Sequence, residues 1–137
     1  MIKYLFFSVL VISSCQTNNE TKASKNDCDK FKKGVFFHRA EGDPTLYKIE
    51  RSDTIQKEFI AKTGDYVNLK IKWTGQCSYE LTFLNQHINR TDSVPESYQH
   101  TKVTVEIIRI QNDSCFIVAN ANDGLGPMHG VVYIDKR

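Results

Sequence analysis

A chain of 137 residues with 18 basic and 16 acidic side chains carries a formal charge of +2. That balance excludes the one-signed basic surface a nucleic-acid binder needs, and the cluster Lys30, Lys32, Lys33 reads as a solvated edge. No repeat of solenoid length and no shift in composition divides the chain, so one small domain is expected.

The first residues read as an export signal. Met1-Ile2-Lys3 supplies one positive charge, an apolar run follows from Tyr4, and the run ends in Ile12-Ser13-Ser14-Cys15. A basic start, a short greasy stretch and small residues at the cut are the parts of a secretory signal peptide. The stretch is too short for a stop-transfer helix. With cysteine directly after the small residues, it resembles the bacterial lipoprotein signal, the lipobox. That resemblance implies a signal peptide over 1–14, acylation of Cys15 and a mature chain held to a membrane by its lipid, since several acyl chains anchor stably where one does not. Gln16 after the lipidated cysteine favours the outer membrane. Residues 15–27 are polar almost throughout and predict a flexible tether, because they cannot bury enough surface to offset their ordering entropy. The domain proper is 28–137.

Past Cys28 the hydrophobic period is two. Val67, Leu69, Ile71 and Trp73 alternate with polar neighbours, as do Tyr79, Leu81 and Phe83, and Val103, Val105 and Ile107. Ile107-Ile108-Arg109-Ile110 breaks the alternation and predicts a β-bulge. Turn residues fall at Gly42-Asp43-Pro44, Ser52-Asp53, Thr63-Gly64-Asp65, Gly75-Gln76, Asn112-Asp113 and Asn122-Asp123-Gly124. Between them lie about eight strands, over 34–39, 45–51, 54–62, 66–74, 77–85, 101–111, 114–120 and 129–135. Short links make each strand pair with the next, and a meander of this size shields its edges by curling into a closed or nearly closed barrel. The expected fold is therefore all-β, an antiparallel meander closed into a small β-barrel. Ser93-Val94-Pro95-Glu96 predicts one short helical turn inside the long 86–100 loop, with serine at its cap and proline in its first turn.

With Cys15 lipidated, Cys28, Cys77 and Cys115 allow one internal bridge at most. Cys115 opens the run Cys-Phe-Ile-Val-Ala and reads as a buried thiol, whereas Cys28 and Cys77 sit among polar residues. Cys28–Cys77 is the expected pair and Cys77–Cys115 the alternative. Three scattered cysteines without Cys-x-x-Cys spacing make no zinc site.

The order Cys28-x-x-Phe31-Lys32-x-Gly34-x-Phe36, Ile49-x-Arg51, Gln56-x-Glu58, Trp73-x-x-x-Cys77-x-Tyr79-x-Leu81 resembles a set of small uncharacterised exported proteins from one large phylum of Gram-negative bacteria. Some of these carry a DNA topoisomerase subunit label. The resemblance covers most of the domain, its motifs are structural, and no activity comes with it. It favours the Cys28–Cys77 bridge.

Chemistry is sparse. His38, His87, His100 and His129 lie at no short ligand spacing and read as surface histidines, so neither metal nor cofactor is expected. No Gly-x-Ser-x-Gly elbow is present, and Gly124-Leu125-Gly126-Pro127 lacks the residues that complete a phosphate loop. Arg51, Gln56 and Glu58 flank one tight turn at strand spacing and predict a polar cluster inside the barrel, structural rather than ligand-orienting. Asp53-Thr54-Ile55 and Asp92-Ser93-Val94 match the O-glycosylation triplet of exported proteins in the same phylum. Aromatic residues Phe37, Tyr47, Phe59, Trp73, Tyr79 and Phe83 are expected to fill the interior.

These observations describe a non-enzymatic envelope lipoprotein whose barrel serves as a binding module. The partner is either a small apolar ligand in the barrel mouth or an envelope protein at the 86–100 loop, where Asp92, Glu96 and Tyr98 stand out. The alternative is an inhibitor or immunity-type protein that blocks a secreted enzyme, with Asp92 or Glu96 plugging its catalytic cleft.

Overall fold

The computed structural model describes residues 27–60, 63–89 and 95–137. The signal peptide, Cys15, the tether before Asp27 and Asp92 with its triplet lie outside the described residues. A single 3₁₀ turn, Cys28–Phe31, precedes eight strands: β1 (Gly34–Ala40), β2 (Tyr47–Arg51), β3 (Ile55–Phe59), β4 (Tyr66–Trp73), β5 (Ser78–His87), β6 (Lys102–Gln111), β7 (Ser114–Ala121) and β8 (Pro127–Ile134). Each pairs antiparallel with the next, and β8 returns to β1 to close the barrel. The meander read from the spacing of turn residues is the fold.

Two bulges shape the wall. One falls between Ile107 and Arg109 of β6, where the alternation breaks. The other was not foreseen: Leu69 stands opposite Phe83 and Asn68 opposite Asn85, so Leu84 is extruded from the ladder and left exposed. This extra residue lets β5 run on to pair His87 with Tyr66, beyond the expected 77–85. β3 is shorter than expected, ending where Phe59 faces Tyr66 and the Ile60 N–H reaches the Asp65 carbonyl at 2.8 Å. The helical turn in the long loop is α1, Glu96–Gln99, with Pro95 at its cap position rather than in its first turn.

The barrel's two ends differ. At one, Cys28 and Phe31 of the 3₁₀ turn are wholly buried and pack with Phe36, Ile71, Tyr79, Ile107 and Cys115 into the core. The Cys28–Cys77 disulfide joins this plug to the residue before β5. The other end carries α1, which packs near β5. Inner positions hold Phe36, Trp73, Tyr79 and Phe83, but Phe37 and Phe59 are corrections to the expected interior. They belong to the outer face, since their neighbours Phe36 and Glu58 point in. Cations cover both: Arg137 lies 4.9 Å from the Phe37 ring centre, and Lys48 and Lys57 each lie 4.9 Å from that of Phe59.

Candidate functional site

Strand register delivers the predicted polar cluster to the barrel's middle. Arg51 and Gln56 are direct partners across the β2–β3 ladder, and Glu58 lies two residues on, on the same face. Arg51 is 6% exposed and Gln56 2%. The guanidinium donates from Nε to Gln56 Oε1 at 2.8 Å, from Nη1 to the Phe31 carbonyl at 2.6 Å and from Nη2 to the Tyr79 hydroxyl at 3.1 Å. It also lies 4.7 Å from the Tyr79 ring centre and 5.3 Å from that of Phe36. Gln56 passes the chain onward, its Nε2 donating to Glu58 Oε1 at 2.6 Å. A buried charge held this way has a hydrogen bond from each of its three nitrogens, the pairing that burial demands. Arg51 therefore ties the plug to the wall.

Beyond Gln56 the interior opens into a cavity of about 350 Å³. Val67, Leu69, Phe83, Val103, Val105 and Ala119 supply apolar walls, Tyr98 and Thr101 stand at the α1 end, and His38, Gln56 and Glu58 bring the polar atoms. An eight-stranded barrel is the size at which the interior either fills with side chains or holds one small ligand. Here the lower half is filled and the upper half is not.

His38 corrects the expectation of a surface histidine. It lies inward between Phe36 and Ala40 and lines the cavity. Burial is the main cause holding its pKa below the ordinary imidazole value; Arg51 adds to the effect, while Glu58 and Asp43 oppose it. The ring is therefore neutral at pH 7. Room for it comes from Gly130 on β8, where a Cβ would sit 2.8 Å from His38 Nε2. Nothing in the sequence marked Gly130. The signal for His38 was there, as its two-residue spacing from Phe36.

The other expected sites are spread out. Tyr98 reaches the cavity mouth, whereas Glu96 is exposed on α1 and is not among its lining residues. Thr54 of the first glycosylation triplet is exposed in the β2–β3 turn. Cys115 is buried near Arg51, and desolvation pushes its thiol up to about 12, so it stays protonated and unreactive. Burial likewise raises the Tyr79 phenol, against the lowering effect of Arg51. Among the described residues, no group of three or more His, Cys, Asp or Glu side chains is placed to hold a metal ion.

The chain matches no protein-family model and no curated protein.

Proposed function

We propose that this chain is a lipid-anchored envelope protein whose barrel is a non-enzymatic binding module, taking one small apolar ligand. The carrying observation is the cavity itself, apolar over most of its wall and polar at His38, Gln56 and Glu58. That pattern suits ligand sites, where apolar surface supplies affinity and a few polar groups set orientation. Two further observations support the setting. The lipobox-like Ile12-Ser13-Ser14-Cys15 points to acylation, and the Cys28–Cys77 disulfide fits an oxidising compartment.

Both notions of a binding region, barrel mouth and long loop, meet at Tyr98, which belongs to the loop by sequence and to the cavity by position. Native mass spectrometry of the chain purified from its producing cells, set against its denatured mass, tests the reading. A non-covalent added mass supports a carrier and delivers the ligand for identification. A bare chain that takes up no apolar probe would overturn it.

A further inference from the structure

The cavity's polar groups form an incomplete set, and what is missing has a chemical identity. Glu58 accepts one hydrogen bond, from Gln56 to Oε1, and among the described residues nothing donates to its Oε2. His38 makes no side-chain hydrogen bond among the described residues; its ring contact is with Tyr47, at 6.5 Å. Both side chains face the same chamber, from β1 and β3, which flank β2 on either side. A neutral imidazole has one N–H donor and one acceptor nitrogen, and a carboxylate only accepts. Arg51 is turned away from a ligand: each of its three nitrogens donates to Phe31, Gln56 or Tyr79, and it does not line the cavity.

We propose that the cavity is built for an uncharged apolar molecule ending in a hydroxyl, an alcohol or a phenol, bound head-down between His38 and Glu58. This rests on the reading of the barrel as a carrier. The ligand O–H would donate to Glu58 Oε2 and its oxygen would accept from the imidazole N–H, completing both groups at once. A carboxylate head is disfavoured, because it would set a second negative charge against Glu58 with no Lys or Arg lining the cavity among the described residues. A cationic head would shed its water in an apolar chamber where Glu58 is already bonded to Gln56 and Arg51 lies just behind. Size follows from volume: about 350 Å³, at about 30 Å³ for each water-sized unit, accommodates roughly a dozen non-hydrogen atoms.

Three probes with one apolar body separate the possibilities: para-pentylphenol, para-pentylbenzoate and pentylbenzene, each titrated calorimetrically into the purified full chain. The phenol is expected to bind about tenfold more tightly than either of the others, the range of a hydrogen bond to a charged acceptor. Glu58→Gln keeps an acceptor for Gln56 and should remove most of that advantage, bringing the phenol close to pentylbenzene in affinity. His38→Gln should lower phenol affinity in the same direction. A cooperative thermal melt of each variant certifies that it is folded. Equal affinity for all three probes would overturn the hydroxyl assignment while leaving the carrier intact. Tightest binding by the benzoate would overturn it too, by showing that Arg51 governs the site. If no probe binds, the carrier reading itself falls.

Discussion

Arg51 donates to Gln56 across a single β-ladder pair, Nε to Oε1 at 2.8 Å, and this contact divides the barrel interior in two. On the plug side the guanidinium is wrapped by Phe31, Phe36 and Tyr79. On the other side Gln56 presents its amide to Glu58 and the cavity. The same residue pair closes the core and floors the chamber.

Arg51→Ala should therefore destabilise the fold severely. It leaves the Phe31 carbonyl, the Gln56 Oε1 and the Tyr79 hydroxyl without their donor, and buried groups stripped of partners cost about 1–3 kcal/mol each. A total loss near 3 kcal/mol and a melting drop on the order of 15 °C are expected. Urea and thermal unfolding measure both; unchanged melting would show the network to be dispensable.

Acid should weaken the fold through His38. Its pKa in the folded protein is held below the ordinary imidazole value, chiefly because burial disfavours the charged ring. As pH falls through about 6.5, the unfolded chain takes up a proton that the folded one refuses, so stability declines. The decline stops once pH passes below the folded-state pKa, where both states carry the proton. Urea melts at a series of pH values should show this slope, and His38→Gln should flatten it. An identical slope in the variant would place the titration elsewhere.

Reduction should cost the domain its plug. The bridge joins Cys28 and Cys77 at a sequence separation of 49, a loop whose closure stabilises by roughly 4 kcal/mol in the chain-entropy model. Dithiothreitol, or a Cys28→Ser/Cys77→Ser pair, should lower the melting point by on the order of 15 °C. Cys115 supplies an internal control. Its protonated, buried thiol should resist iodoacetamide in the folded protein and react once the fold opens.

Filling the cavity should abolish uptake without unfolding the barrel. Ala119 lines the chamber from β7, and Ala119→Phe would place a ring inside it. Pentylbenzene binding should vanish while stability changes by no more than about 1–3 kcal/mol, the usual range for added core volume. Persisting uptake would mean that the probe binds outside the chamber.

The sequence disclosed more of the wall than of the chamber. Alternation in β4, β5 and β6 fixed which residues face in, and the turn residues fixed the meander. Arg51, Gln56 and Glu58 could be placed together because a two-residue period and a tight turn leave no other register. The phase of β1 was harder. Val35, Phe36 and Phe37 are all apolar, so period alone does not say which aromatic is buried, and an error there turns His38 to the wrong face. Phe59 misled for a related reason: an outward aromatic covered by Lys48 and Lys57 reads as core in a sequence. Volume left unfilled is a property of several strands at once. No single segment states it.

Closure by β8 onto β1 also governs how other molecules can meet this domain. Every strand has a neighbour on each side, so most of the wall's backbone amides and carbonyls are committed within the ring. Only short runs such as residues 83–87 of β5 and 108–111 of β6 are paired on one side alone. Among the described strands a visiting peptide finds no full-length open edge to extend, and strand-to-strand joining of neighbouring copies is confined to those short runs. Recognition therefore falls mainly to side chains, at the loops, on the outer wall or within the chamber.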